Sequence, residues 1–307
     1  MPTLQQLRYV AALAETLHFR RAAEECHVTQ PTLSAQIKEL EARLGTVLVE
    51  RGHGKVVLTP AGREVAARAR AVLREVGEIV ALARASGREP LSGTLRLGVV
   101  QSLGSYLMPH LVPDLRRRFP GLRLYLREGL PKALLAQLAD GALDLLAFPL
   151  PVSERDTETA RLFREPLLLV APADHPLAAR SSVAPSDLRG ETILALEPGH
   201  QLYNQVRELC AAIGAELSHD YEGTSLDTLR QMVAMGMGLS LLPALYVRSE
   251  VARETLVAAR PLDGPTPARV IGLVWRRGSV RGEAYGALAA AIRAILRAQV
   301  PEVTVLD

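Results

Sequence analysis

Apolar residues recur at helical spacing through the first 44 positions of the chain. Their pattern predicts one helix over 4–15, a short one over 19–26 and a third over 30–44. Thr29 is suited to cap the third helix, Pro31 fits its first turn without losing a hydrogen bond, and Gly45 is suited to end it. The spacing therefore predicts three helices joined by tight turns.

The next segment changes from helical spacing to short β-prone runs. Runs at 47–49 and 56–58 enclose a basic, glycine-bearing hairpin tip that contains Arg51 and Lys55. The sequence Thr59-Pro60-Ala61-Gly62 then opens a long predicted helix that ends near residue 86. The glycine and proline residues of 87–93 predict a hinge after it.

Beyond the hinge, the pattern alternates between strands and helices. The alternation begins with strands at 94–100, 122–127 and 143–148 and helices at 106–118 and 132–140. It continues through 167–170, 192–196, 202–213, 226–234 and 240–242, then a strand at 269–275 and a helix at 281–298. This rhythm is typical of βαβ units and predicts a parallel α/β sheet.

Composition narrows the class of protein. A chain of 307 residues has room for two or three domains of roughly 100–200 residues each. Its net charge of +3 does not by itself indicate a nucleic-acid partner. Two cysteines exclude a disulfide-stapled scaffold and a cysteine-rich zinc module. The start has no signal-peptide pattern, and glycine and proline interrupt the weakly charged stretch 232–247, so we expect a cytoplasmic protein without a membrane partner.

Small polar residues cluster at the start of the third predicted helix. Glutamine can bond an adenine edge through two hydrogen bonds, hydroxyls reach bases or phosphates, and the helix dipole attracts phosphate. Basic residues of the hairpin tip are placed to bind the flanking backbone. A solvated amphipathic helix is the alternative, but helix, turn, polar start and basic wing occur together. The predicted DNA-binding residues are Thr29, Gln30, Pro31, Thr32, Ser34, Gln36, Lys38, Arg51 and Lys55.

These motifs resemble the LysR-type regulators over essentially the full length of the chain. The runs 19–23 and 28–34 are similar to the core of that family's helix-turn-helix, and 58–62 to its junction with the linker helix. The resemblance implies an α+β protein overall: a winged helix-turn-helix, a long linker helix, and a two-lobed α/β domain of periplasmic-binding-protein type. It implies double-stranded promoter DNA as a partner and dimers or tetramers through the linker helix, and we expect RNA polymerase as a further partner.

The same resemblance sets the expected domain bounds. We expect a DNA-binding domain at 1–62, a linker helix and hinge at 63–91, and a regulatory domain at 92–307. Within the regulatory domain, the first lobe is expected at about 92–164 and 269–307. The second lobe is expected at about 165–268.

Within the LysR family, the chain is most similar to the OxyR branch of hydrogen-peroxide-responsive activators. The similar runs are 18–28, 106–110, 134–138, 199–202, 224–230 and 241–245. That branch carries a reactive cysteine directly after a Gly-His pair and a second cysteine that forms a disulfide with it. Here the first position holds Gln201 and the second holds Cys210, so the resemblance implies that no disulfide forms within the sensor.

A one-cysteine sensor remains chemically possible, because a thiolate can stop at sulfenic acid when no second thiol is near. Cys210 is then the redox-sensing residue, with His200 and Arg230 as the basic groups that the resemblance brings toward it. Ser102 matches a hydroxyl position of the family's peroxide pocket, whereas Pro131 departs from it. The alternative is that Cys210 is an inert thiol on the apolar face of 202–213; Cys26 is interpreted as a core residue.

Two further hypotheses belong to other classes. A small metabolite or anion could bind between the lobes, near Ser102 and near Thr224 and Ser225, which precede a predicted helix. The sensor pocket is therefore predicted from Ser102, His200, Gln201, Thr224, Ser225 and Arg230. An enzyme is not expected, since no metalloprotease, serine hydrolase, phosphate-loop or dinucleotide motif occurs. No catalytic residue, cofactor or metal site is predicted.

Overall fold

The computed structural model describes residues 1–52, 55–85, 91–264 and 267–307. Side chains are described in the same ranges except at 51, 52, 55, 78 and 80–85. The chain forms two compact units. The amino-terminal unit is Met1–Arg88 with Ala139–Ala142, and the carboxy-terminal unit is Glu89–Leu138 with Leu143–Asp307. The domain and lobe bounds given above stay predictions, and the hinge expected over 87–93 lies largely outside the described residues.

The amino-terminal unit begins with three helices, as the apolar spacing predicts. Its elements are α1 (Leu4–Thr16), α2 (Phe19–Glu25), α3 (Gln30–Leu44), β1 (Val49–Gly52), β2 (Lys55–Leu58) and α4 (Pro60–Ala85). The Thr29 side chain caps α3, and Gly45 ends it with a φ of 67°. β1 begins two residues later than the predicted run at 47–49, and the Leu48 amide before it donates to the Glu41 carboxylate at 2.8 Å. The wing is an antiparallel pair of β1 and β2.

The core of this unit joins α1, α3 and the wing. Val10, Leu13, Leu33, Ile37, Leu40 and Leu48 are fully buried in it. Ala22 and Ala23 are buried too, and their small side chains let α2 approach its neighbours. Gly62, on the first turn of α4, lies so close to the wing that a β-carbon there would overlap the Leu48 carbonyl oxygen. The glycine of the Leu-Thr-Pro-Ala-Gly junction is therefore required by packing.

The carboxy-terminal unit is built on strands that form two connected sheets. The strands are β3 (Gly93–Val100), β4 (Leu122–Gly129), β5 (Leu145–Leu150), β6 (Thr157–Pro172), β7 (Thr192–Leu194), β8 (Glu216–Leu217), β9 (Leu239–Pro243), β10 (Val257–Arg260), β11 (Ala268–Arg276) and β12 (Thr304–Val305). The order is β4-β3-β5-β11-β6-β9-β7-β8, and β10 and β12 also pair with β6. The long strand β6 thus passes from one sheet into the other.

Helices cover these sheets and complete two separate cores. They are α5 (Gly104–Arg118), α6 (Pro131–Ala139), α7 (Gln201–Ile213), α8 (Leu226–Ala234), α9 (Ala244–Tyr246) and α10 (Gly282–Gln299). Short 3-10 turns lie at Pro176–Ala179 and Pro185–Leu188, and a π-helical turn at Val247–Val251 follows α9. One apolar cluster includes β3, β5, α5 and α10, and the other includes β7, β9, α7 and α8. We call these the first and the second lobe.

The two-lobed α/β architecture is confirmed, and one detail of the sheet is corrected. The alternation predicts a purely parallel sheet, but β11 runs antiparallel to both β5 and β6, and β9 runs antiparallel to β6. The predicted strand at 167–170 is only the second half of β6. Its first half mixes charged, polar and apolar residues without regular alternation, and only long-range pairing makes it a strand. No helix among the described residues is long and apolar enough to cross a membrane.

Candidate DNA-binding surface and sensor site

The start of α3 presents small polar side chains to solvent, as the sequence predicts. Gln30, Pro31 and Thr32 are exposed, whereas Leu33 one position further is fully buried. The Thr29 hydroxyl accepts a hydrogen bond from the Thr32 amide at 3.4 Å and lies 2.8 Å from the Thr32 hydroxyl. The helix therefore offers a capped, ordered amino terminus with exposed polar groups, which is what major-groove recognition requires.

Three further predicted contact residues of α3 differ in their surroundings. Lys38 is exposed, and Ser34 is half-buried. Gln36 is half-buried as well, and its amide is used within the unit: it accepts from Gln6 Nε2 at 3.2 Å and donates to Glu39 Oε2 at 3.1 Å. Gln36 thus holds α3 against α1, and its role in reading bases stays a prediction.

At residues 51, 52 and 55 of the wing, the structure describes the backbone alone. The side chains of Arg51 and Lys55, the predicted phosphate-binding residues, lie outside the described residues. The base of the wing is fixed by Glu41, whose Oε1 accepts from the Leu48 and Val49 amides at 2.8 and 3.1 Å. Thr59 joins the wing to α4, because its hydroxyl donates to the Val47 carbonyl and accepts from the Gly62 amide.

In the carboxy-terminal unit, a buried ion pair lies where the two sheets meet. Arg269 Nε donates to Glu165 Oε2 at 2.7 Å, and the other carboxylate oxygen accepts from the Leu245 amide at 2.9 Å. The remaining guanidinium nitrogens donate to the Ser102 hydroxyl at 2.7 Å and the Ser102 carbonyl at 2.9 Å. We call Glu165, Arg269 and Ser102 the interlobe clamp. It ties the turn after β3 to β6, β11 and the β9–α9 junction.

Helix α7 lies against the same strand ends. Gln205 Nε2 donates to the carbonyl of Ala268, the residue before Arg269, at 3.1 Å. Gln201, one turn earlier, makes a longer 3.5 Å contact with the Leu150 carbonyl. Because Leu150 pairs with Val270 across the sheet, both glutamines contact backbone that flanks Arg269. The structure thus brings the predicted residues Ser102 and Gln201 to one region.

His200 precedes α7 and is 4% exposed. Its Nε2 has no hydrogen-bond partner among the described residues, and neither has Oε1 of Gln205 or of Gln101. Burial lowers the pKa of the His200 imidazole, an effect that the Glu197 carboxylate opposes. The lowered pKa favours the neutral imidazole, so His200 offers a buried polar atom without adding a charge.

Cys210 lies nine residues into α7, on the face that packs into the second lobe. It is 3% exposed and shares a cluster with Leu202 and Val206. Burial raises the pKa of its thiol, so the protein at neutral pH holds a thiol rather than a thiolate. Cys26, in the amino-terminal unit, is half-buried at the end of α2, and its thiol pKa is also raised, chiefly by burial. Both are free cysteines.

The remaining predicted pocket residues lie on and before α8. Ser225 caps that helix by accepting from the Thr228 amide at 3.3 Å, and Thr224 precedes it. Arg230 is engaged by Glu254 in an ion pair and by the Tyr246 hydroxyl at 3.3 Å. The basic side chain that bonds Ser102 is Arg269, which sequence reasoning missed. The available signal was a lone arginine at the start of a strand that is otherwise mostly apolar. The place of Arg230 in the sensor pocket stays a prediction.

Comparison with known proteins gives a consistent family. Residues 4–63 match the family described as bacterial regulatory helix-turn-helix protein, lysR family, and residues 88–297 match the LysR substrate binding domain. The chain is 46% identical over 291 residues to the DNA-binding transcriptional dual regulator OxyR of Escherichia coli (strain K12), covering 95% of each chain. It is 40% identical over 290 residues to the hydrogen peroxide-inducible genes activator of Haemophilus influenzae, covering 94% of this chain and 95% of that one.

Two solved structures are similar to this chain over almost its whole length. A full-length OxyR variant from Pseudomonas aeruginosa is 39% identical, with a TM-score of 0.81 and 98% of both chains covered. A Corynebacterium glutamicum OxyR mutant with bound H2O2 is 30% identical, with a TM-score of 0.67, covering 97% of this chain and 94% of that one.

Proposed function

Because the chain belongs to the LysR family of DNA-binding transcription regulators, in its OxyR branch, we propose that it regulates transcription in response to hydrogen peroxide. Relatives at 40 and 46% identity over almost the whole chain carry the names of peroxide-inducible regulators. The exposed polar start of α3 supports the DNA-binding part. Promoter DNA, a second copy of the chain and RNA polymerase are the proposed partners, in the cytoplasm, and no catalytic role is assigned.

On the DNA side, a homodimer or tetramer would set its α3 helices in successive major grooves of a pseudo-palindromic site. Gln30, Thr32 and Ser34 would read bases from the helix start, while Lys38 and the wing would bind phosphates. Phosphate contacts make binding salt-dependent without adding sequence information.

On the sensor side, Cys210 is the proposed redox residue. Gln201 stands at the position where the family resemblance places the reactive cysteine, so this chain has no thiol there. Cys210 is the single cysteine of the carboxy-terminal unit, and it is carried by the helix that begins at this position. The observation that carries the proposal is this location on α7, whose other face contacts the backbone around Arg269.

The proposed reaction is oxidation to sulfenic acid. The thiolate attacks one peroxide oxygen, a sulfur–oxygen bond forms as the oxygen–oxygen bond breaks, and the leaving hydroxide takes up a proton to become water. Burial and the raised pKa of Cys210 mean that α7 must open before the thiolate forms, so the reaction is slower than that of an exposed, activated thiol. A polar oxygen among Leu202 and Val206 would then repack α7.

This proposal is tested by adding stoichiometric hydrogen peroxide to the full-length protein and trapping sulfenic acid with a dimedone-type probe. Mass spectrometry locates the label, and DNA footprinting is done on the same sample. We expect label at Cys210 and a changed footprint, with both lost in Cys210→Ala and both kept in Cys26→Ala. A footprint that changes equally in Cys210→Ala would contradict the role of Cys210.

A second candidate signal is a small ligand bound at the start of α7. The observation that favours it is the buried His200 Nε2, which has no partner among the described residues. The hydroxyl of Ser102 and the charge of Arg269 are already engaged by one another and by Glu165, so the site suits a neutral hydrogen-bonding ligand better than an anion. A thermal shift produced by such a ligand, and lost in His200→Leu, would support this function without peroxide chemistry.

A further inference from the structure

The interlobe clamp contains two charged groups that are almost fully buried and form no hydrogen bond with Cys210. Glu165 is 0% exposed and Arg269 is 3% exposed, and both oxygens of the carboxylate have a partner. A buried ion pair of this kind is weak evidence for stability, because well-packed apolar residues of similar volume are often as stable. The role of the clamp is therefore better explained by the elements that it holds in position relative to one another.

We propose that Glu165 is a positioning residue that couples helix α7 to the first lobe, acting through Arg269 and Gln205. This inference rests on the proposed function, because it names the route by which a change at Cys210 leaves the second lobe. Glu165 contacts neither the thiol nor the start of α7. Its effect is exerted through the orientation of the Arg269 guanidinium.

The first step of the route runs from α7 to β11. Gln205 lies one turn after Gln201 and one and a half turns before Cys210 on the same helix. Its amide holds the Ala268 carbonyl at 3.1 Å, directly before Arg269. A shift of α7 that repacks Cys210 must stretch or break this hydrogen bond, and the backbone that moves with it carries the guanidinium.

The second step runs from Arg269 to both lobes. In the first lobe, Arg269 fixes the turn after β3 by bonding the Ser102 hydroxyl and carbonyl at 2.7 and 2.9 Å. Glu165 also fixes the junction between α9 and the second-lobe strand β9 through the Leu245 amide. Since β6 pairs in both sheets and β11 pairs with β6, a movement of Arg269 affects both lobes. The fully hydrogen-bonded arrangement gives the clamp a defined closed state.

Coupling of this kind is reciprocal. If oxidation of Cys210 changes the clamp, a change in the clamp must alter how readily Cys210 becomes exposed, by the same free energy. Because the thiol is buried, its reaction with a neutral alkylating reagent reports the opening of α7. This measurement requires no peroxide, so it can reject the coupling without rejecting the proposed redox function.

The experiment measures the iodoacetamide alkylation rate of Cys210 in the reduced full-length protein, resolved by mass spectrometry. Cys26, in the other unit, serves as the internal reference. We expect Glu165→Gln and Gln205→Met each to raise the Cys210 rate by about fivefold or more, the lower end of typical coupling factors. Because both act on one route, the double variant should be no faster than about the faster single variant.

Two controls separate coupling from a general loss of stability. Glu254→Gln makes the same chemical change in the Arg230–Glu254 pair on the α8 side, away from Gln205. Leu111→Ala weakens the first-lobe core without touching the clamp. Leu111→Ala serves as the control for lost stability, and Glu254→Gln as the control for the chemical change. Both should leave the Cys210 rate near that of the parent protein.

Equal acceleration by the controls, or multiplicative acceleration in the double variant, would overturn the proposal. If Glu165→Gln fails to fold, Ser102→Ala replaces it, because this change removes a single clamp hydrogen bond. An unchanged Cys210 rate in Ser102→Ala together with an unchanged rate in Gln205→Met would also overturn it. If the alkylation pattern is as expected but Cys210 forms no sulfenic acid, the redox function alone is rejected.

Discussion

Arg269 and Glu165 lie on neighbouring strands, 104 positions apart in the chain, and meet at 2.7 Å with 3% and 0% of their side chains exposed. Each group compensates the other, since removing one partner leaves an unpaired charge out of water. The pair therefore sets strict limits on substitution at either position.

Glu165→Gln should lower the free energy of unfolding of the carboxy-terminal unit by about 3–5 kcal/mol, the typical penalty for breaking a buried ion pair. Urea unfolding followed by the fluorescence of Trp275, the single tryptophan, measures it. The matched change Glu254→Gln should have a smaller effect, because that pair is partly exposed. Similar losses in the two variants would argue against this account.

Gly62→Ala should destabilise the amino-terminal unit, because the added β-carbon meets the Leu48 carbonyl oxygen at the wing. The expected result is weaker binding to all DNA sequences and a lower unfolding temperature by circular dichroism. Gly77→Ala in the same helix is the control, since nothing lies near its β-carbon position. That control should be neutral or stabilising by about 0.8–1 kcal/mol.

Gln30→Ala and Gln36→Ala should separate base reading from packing on α3. Gln30 is exposed, so its loss should reduce sequence discrimination by about 1–3 kcal/mol and leave the unfolding temperature unchanged. Gln36 bonds Gln6 and Glu39, so its loss should lower stability and weaken specific and non-specific binding alike. Competition binding against random DNA distinguishes them, and a purely specific loss in Gln36→Ala would support the predicted base-reading role of Gln36 instead.

Stability of the carboxy-terminal unit should fall in mild acid because of His200. Burial lowers its pKa in the folded protein, so the unfolded chain binds the proton more tightly. The stability is present above the ordinary histidine pKa of about 6.5 and is lost as pH falls below it. In His200→Gln, the free energy of unfolding should change less with pH between about pH 7 and pH 5. Exposed His219→Gln is the control, and an equal reduction in pH dependence there would refute the assignment.

Local sequence signals determined most of the helices and the start of the DNA-binding surface. α3 begins and ends as predicted, because Thr29 caps it and Gly45 closes it within the same short segment. α8 also has its predicted bounds, with Ser225 as its cap. Such signals act between residues three or four positions apart, so they are legible without knowledge of the tertiary fold.

Only the tertiary structure decided the path of β6 through both sheets, the antiparallel course of β11 and the identity of the clamp. Strand pairing joins distant segments, and a side chain's burial depends on what those segments bring to it. In the sequence, nothing distinguishes Glu165 from a surface charge, and the signal at Arg269 is its place at the start of a mostly apolar strand. They become a paired, buried unit because β6 runs through both sheets and pairs with β11, which places the Ser102 turn and the Leu245 amide within hydrogen-bonding distance.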